Sequence, residues 1–127
     1  MLNPDLVGRT FEGATSTTIT AEAIATFAQA LGEPETELAS PTFAITISLE
    51  QSQSLLENSG LDWSRVVHGD QRFLINKPLV AGVHVTCNST IESARVVAGN
   101  EIVTVRSDLI ENEEVAVSSW STLVFRA

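Results

Sequence analysis

Between Ile24 and Leu31 the apolar residues Ile24, Phe27, Ala28 and Leu31 recur at spacings of three and four, the period of one helical face. Thr20 is placed to cap this helix, Glu22 lies favourably in its first turn, and Gly32 with Pro34 ends it. Before it, the threonine-rich, β-branched stretch from Thr10 to Ile19 predicts a first strand. Glu33 through Ala39 is an acidic connector. Ser40-Pro41 then predicts the start of a second helix, because serine can cap and proline at the first helical position loses no useful donor. Phe43, Ala44, Ile47, Gln51 and Leu55 lie along one side, and Ile45, Leu49, Ser52 and Leu56 widen the apolar surface. The first half is apolar nearly all round, as a helix wrapped by a sheet requires, and Asn58-Ser59-Gly60 closes it. The β-branched run Ile45-Thr46-Ile47 would also suit a strand.

From Val66 onward the period changes to two. The stretch that begins Val66-Val67-His68-Gly69-Asp70-Gln71-Arg72-Phe73 predicts a strand, with Gln71 and Phe73 on the same face as Val67 and Ile75. Val83, Val85, Cys87 and Ile91 then alternate with His84, Thr86, Asn88 and Glu92. Ile102 to Ile110 and Val115 to Phe125 are two further strands, separated by turns at Ala98-Gly99-Asn100 and Glu111–Glu114. Four strands joined by polar turns predict an antiparallel meander. The order of elements is thus strand, helix, apolar helix and four strands. The packing that hides the second helix is an α+β hotdog fold, a curved antiparallel sheet wrapped around a central helix, formed by residues 1–127 as one domain.

Composition narrows the function classes. Hydrophobic content of 43% and charged content of 18% over 127 residues fit a globular chain with one core. Seven Lys and Arg against sixteen Asp and Glu give a formal charge of −9, which argues against binding nucleic acid or an anionic membrane. No apolar run approaches the roughly 18 residues of a membrane span. The N-terminal residues lack the basic and apolar segments of a secretory signal, so a cytoplasmic location is expected. The single cysteine, Cys87, allows no internal disulfide and no metal-ligand pair, and no cofactor is expected. Its phase places it on the apolar side of its strand as an unreactive core thiol, whereas His84 falls on the polar side.

Most of the candidate chemistry lies in one strand. His68, Asp70, Gln71 and Arg72 are polar groups flanked by apolar residues, and such groups need hydrogen-bond partners if buried. A structural network, a protein interface and a ligand site are the three explanations. Arg65, Arg72 and Lys77 are three of the seven basic residues and lie close together in the sequence, either in local ion pairs or as a small cationic patch for a phosphate.

Several segments occur in an order that resembles MaoC-like dehydratase domains. They are Val7-Gly8-Arg9-Thr10-Phe11, Ile24 to Gly32, Pro41-Thr42-Phe43, His68-Gly69-Asp70-Gln71-Arg72-Phe73 and Lys77-Pro78-Leu79-Val80-Ala81-Gly82. Nearly the whole chain is covered, and the likeness is to the N-terminal-type domain, which includes non-catalytic subunits of actinobacterial (3R)-hydroxyacyl-ACP dehydratases. The resemblance implies two hotdog units side by side and acyl thioesters of coenzyme A or acyl carrier protein as substrates. It implies reversible hydration between 2-enoyl and 3-hydroxyacyl chains. It also implies a backbone N–H at the start of the second helix that polarises the thioester carbonyl, with Thr42 and Phe43 as the candidate donors, since Pro41 has no N–H.

One departure from the family pattern matters as much. Catalytic members carry Gly-Asp-x-Asn-Pro followed closely by His after the first helix. Here the segment reads Gly32-Glu33-Pro34-Glu35-Thr36-Glu37-Leu38, with Glu33 for the aspartate, no asparagine, and no histidine before His68. The chemistry needs a group titrating near neutrality beside the substrate α-carbon, and this connector supplies none. The resemblance therefore implies a substrate-binding half, a homodimer or a heterodimer with a catalytic MaoC-like subunit. His68 is then a groove residue or one held at a subunit seam. Two alternatives are a hotdog thioesterase using Glu50 or Glu57, and a non-enzymatic acyl-thioester-binding module.

Overall fold

A computed structural model of the chain describes residues 2–13, 16–34, 36 and 38–127. Among them, six strands and two helices follow in the order β1 (Thr10–Glu12), β2 (Thr17–Thr18), α1 (Ala21–Leu31), α2 (Ile45–Asn58), β3 (Val66–Ile75), β4 (His84–Val97), β5 (Asn100–Glu111) and β6 (Glu114–Phe125). The strands run β1-β4-β5-β6-β3, all antiparallel, with β2 also paired to β4.

The first helix matches its periodicity. Thr20 Oγ1 accepts from the Ala23 N–H at 3.0 Å, and Gly32 takes the left-handed conformation that closes the last turn (φ 72°). Ile24 and Ala28 are buried and Phe27 half-buried, but Leu31, expected on the same face, is exposed. The first strand is broken. Instead of one run from Thr10 to Ile19, two short strands pair with β4 on either side of Gly13, and Ala14 and Thr15 lie outside the described residues. A Cβ on Gly13 would lie 2.5 Å from the Cys87 carbonyl oxygen, so only glycine lets the chain pass this close to β4.

The second helix begins later than Ser40-Pro41 suggests. Ser40 gives its hydroxyl to both carboxylate oxygens of Glu33 (2.8 and 2.9 Å), and residues 41–44 form tight turns. Ala44 then occupies the cap position with no side-chain cap. Nor is the buried face of α2 greasy: Ser48, Ser52 and Leu56 point inward, while Phe43 and Ala44 are buried just before the helix. Small residues let the helix axis approach the sheet closely.

Only β4, β5 and β6 form a meander. Their two hairpins close on residue pairs with positive φ, Ala98 (52°) with Gly99 (80°) and Asn112 (50°) with Glu113 (66°), which matches the twist of paired strands. β3, expected beside β4, pairs with β6 at the far edge. The Asn76–Val83 connection is longer than a tight hairpin loop and is tied down elsewhere. The Asn76 and Lys77 N–H groups both donate to the Ala116 carbonyl (2.8 and 3.0 Å), which carries the chain across the end of the sheet.

Two apolar clusters result. One contains Ile24, Phe43, Leu79, Val85, Leu109 and Val117, and the other Leu56, Ile91, Val103, Val105, Leu123 and Phe125. Along β4, β5 and β6 the inward residues that separate them are serines: Ser89, Ser107, and Ser119 with Ser121. Ser89 and Ser107 bond across the ladder at 2.8 Å, and Ser119 reaches Ser48 of α2 at 3.3 Å. A waist of hydroxyls thus crosses the middle of the core.

Candidate functional site

The segment before α2 folds back onto the loop after β3. Ala39 donates its N–H to the Leu79 carbonyl (2.8 Å), and Leu38 bridges to Val80. Below this closure, at the start of α2, lies an apolar cleft of about 270 Å³ lined by residues including Leu38, Pro41, Ala44, Ile75, Leu79 and Val117. Of the two donors expected here, Phe43 is already engaged, its N–H donating to the Ser40 carbonyl at 2.9 Å. Thr42 keeps an N–H with no acceptor among the described residues, and so does Ala44, which proline and turn signals in the sequence could not reveal. Ala44 lines the cleft whereas Thr42 does not, and an unpaired N–H beside apolar walls suits a polarisable carbonyl at the end of a greasy chain. Glu33, at the position of the family's aspartate, is exposed and accepts from Ser40; Glu35 and Glu37 lie outside the described residues. Among the described residues, no histidine lines the cleft.

The four polar residues of β3 divide between the two faces. The register of β3 against β6 shifts between His68 and Asp70, a bulge at Gly69. It turns Val67 to the face opposite Gln71, so the face shared by Gln71 and Phe73 carries Val66 and His68 rather than Val67. Gln71 is satisfied, as its phase predicts. Its Oε1 accepts from Ser121 Oγ (2.6 Å) and lies 2.9 Å from His68 Nε2, while its Nε2 donates to Ser119 Oγ (2.6 Å) and the Arg72 carbonyl (3.4 Å). Gln71 thereby joins the hydroxyl waist. The inward phase of Ser119 and Ser121 was the available signal in the sequence.

Asp70 and Arg72 lie on the other face. Arg72 stacks over the Trp120 ring at 5.0 Å, and both Trp120 Nε1 and Arg106 reach Glu92 (3.3 and 3.6 Å). Arg65 pairs with Asp62 (3.7 Å) and Lys77 with Glu111 (3.3 Å), so local partners account for the cations near β3. The Ser64 hydroxyl and N–H hold the exposed Asp62 carboxyl below the usual carboxylate range. His84, exposed as expected, has Nδ1 2.8 Å from Thr18 Oγ1.

A larger cleft, about 640 Å³, runs along α2 beside Phe11, Gly13 and Cys87. Glu50 stands exposed on its rim, while Glu57 accepts from Gln53 Nε2 at 2.7 Å. Burial pushes the Cys87 thiol up, outweighing the Ser89 and Ser107 hydroxyls that favour the thiolate. Cys87 should therefore react with iodoacetamide at pH 8 at least roughly tenfold more slowly in the folded chain than in urea. The raised value also means that stability falls as pH climbs past the ordinary thiol range, where the unfolded chain loses its proton first.

With this geometry in view, comparison with known proteins is informative. A model described as "FAS1-like, dehydratase domain region" matches residues 5–119. The chain belongs to this family. Among relatives of this FAS1-like dehydratase-region chain is a UPF0336 protein of Streptomyces coelicolor, 42% identical over 103 residues, covering 79% of this chain and 68% of the relative. Its fold is that of the MaoC-like hotdog dehydratases. The C-terminally truncated HadBC (3R-hydroxyacyl-ACP dehydratase) complex of Mycobacterium tuberculosis gives a TM-score of 0.81 at 24% identity, over 97% of this chain and 99% of that one. A MaoC-like dehydratase gives 0.85 at 18% identity, over 96% of this chain and 42% of that one.

Proposed function

We propose that this chain is the substrate-shaping half of a two-subunit (3R)-hydroxyacyl thioester dehydratase, with a catalytic MaoC-like partner supplying the Asp/His pair. One observation carries this reading: among the described residues, the cleft at the start of α2 has apolar walls and the unpaired Ala44 N–H but no histidine, and Glu33 accepts from Ser40. Such a site binds an acyl thioester and leaves water and the α-proton untouched. The substrate is an acyl thioester of coenzyme A or acyl carrier protein. The related fold in the HadBC complex, a hydroxyacyl-ACP dehydratase of unlike subunits by its name, supports both the reaction class and the pairing.

The partner binds along β3. This strand ends the sheet, so one row of its backbone groups is unpaired, and it exposes Val67 (46%), Leu74 (53%) and Ile75 (41%). Strand pairing there would cover both the row and the apolar side chains. Leu74→Asp places a charge in that seam and should weaken the complex with a catalytic subunit by at least roughly tenfold on gel filtration, leaving the fold intact by circular dichroism. A complex of undiminished affinity would remove β3 from the interface. The thioesterase alternative has less to stand on, because Glu50 is exposed on the rim of the other cleft and Glu57 is held by Gln53.

A further inference from the structure

Of the features that a binding half leaves unexplained, the Gln71 cluster is the most ordered. Ser119 and Ser121, only 1% and 2% exposed, direct Gln71, and Gln71 in turn holds an exposed imidazole. Apolar side chains would fill this volume between two apolar clusters with less demand for exact pairing. The arrangement also selects which ring nitrogen of His68 donates. Gln71 Oε1 has no hydrogen to give, so His68 Nε2 must carry the proton in this bond. The Nδ1 lone pair of the neutral ring is then free to accept a hydrogen bond, and no residue described in the chain donates to it.

That acceptor does not serve its own cleft. His68 lies seven residues along β3 from Ile75, which lines the cleft, or roughly 20 Å at the rise of a strand. A partner strand paired antiparallel to β3 and centred on it reverses the geometry. The early half of this β3 then lies beside the late half of the partner's equivalent strand, whose far end borders the partner's cleft. His68, on the inward face, is carried toward the partner's thioester site. This step rests on the paired-subunit reading above.

We infer that His68, oriented by Gln71 with Ser119 and Ser121, completes the partner's thioester site by accepting, through Nδ1, a hydrogen bond from an amide N–H of the substrate's pantetheine arm. The choice of donor follows from chemistry: of the groups common to the enoyl and hydroxyacyl forms, the thioester carbonyl only accepts, whereas the arm shared by coenzyme A and carrier-protein thioesters carries amide N–H groups. His68 is thus a binding residue, and Gln71 positions it.

The test uses the assembled complex of this chain with a catalytic hotdog subunit from the same genome, and two substrates, crotonyl-CoA and an S-crotonyl alkyl thioester without amides. His68→Ala should raise KM for crotonyl-CoA roughly three- to tenfold with kcat little changed, and should leave the alkyl thioester unaffected. His68→Asn, which keeps an acceptor near the Nδ1 position, should recover most of the loss. Equal penalties on both substrates, an unchanged KM, or loss of the complex in His68→Ala would overturn the assignment. If the unmodified chain forms no such complex, the paired-subunit reading fails first and this inference falls with it.

Discussion

Crotonyl-CoA should remain unhydrated when this chain is assayed alone, and hydration should appear when a catalytic hotdog subunit carrying the Asp/His pair is added. The expected contrast is large because, on the proposed reading, the partner supplies the proton-transfer group itself. A positioned general acid or base contributes roughly 10²- to 10⁴-fold, and the described residues that line the α2 cleft include no group to play that part. A backbone N–H such as that of Ala44 can polarise a carbonyl but cannot take an α-proton. Glu33, which stands where the family carries its aspartate, accepts from the Ser40 hydroxyl on both oxygens. Steady-state hydration of crotonyl-CoA, followed by the loss of enoyl-thioester absorbance, decides the matter. Turnover by the lone chain comparable with that of the mixture would place a catalytic group here.

Gln71→Leu should lower stability by about 2–4 kcal/mol, read as a shift of roughly 10 °C in Tm. The substitution leaves two buried hydroxyls, Ser119 and Ser121, without the amide that satisfies them. A triple change, Gln71→Leu with Ser119→Ala and Ser121→Ala, should recover most of the loss, since removing both sides of a buried hydrogen bond is far less costly than removing one. Thermal unfolding of the two variants separates the causes. If the triple variant is no better than the single one, packing around Gln71 rather than hydrogen bonding sets its contribution.

Much of this fold is legible in local pattern. Ile24, Phe27 and Ala28 mark α1 by spacing, Thr20 and Gly32 bound it, and β5 alternates inward and outward along its whole length. What local pattern cannot carry is pairing between distant strands. Nothing within Val66–Ile75 says that its neighbour is β6 instead of β4, because that choice is made by where Asn76–Val83 is anchored. The same holds for phase. A single bulge at Gly69 exchanges Val67 for His68 on the inner face, and a period-two reading passes straight over it. The hydroxyl waist escapes for another reason: serine in a strand reads as surface, and only the inward phase of Ser89, Ser107 and Ser119 shows otherwise.

The candidate site divides in the same manner. The absence of the hydratase residues around Glu33 can be read directly from the chain, and so can the need for partners around Gln71. Which N–H groups at the start of α2 stay free cannot, because it depends on the turn at residues 41–44 that takes up the Phe43 donor. His68 belongs to neither class: its residue type suggests chemistry, and only its distance along β3 from the cleft points that chemistry toward a partner.

The most direct measurement is the native mass of the complex formed by this chain, tagged and recovered from its own host, with each component identified. The paired-subunit reading predicts a one-to-one assembly with a hotdog chain that carries the Gly-Asp-x-Asn-Pro…His segment missing here. A homodimer of this chain that hydrates crotonyl-CoA unaided would contradict it.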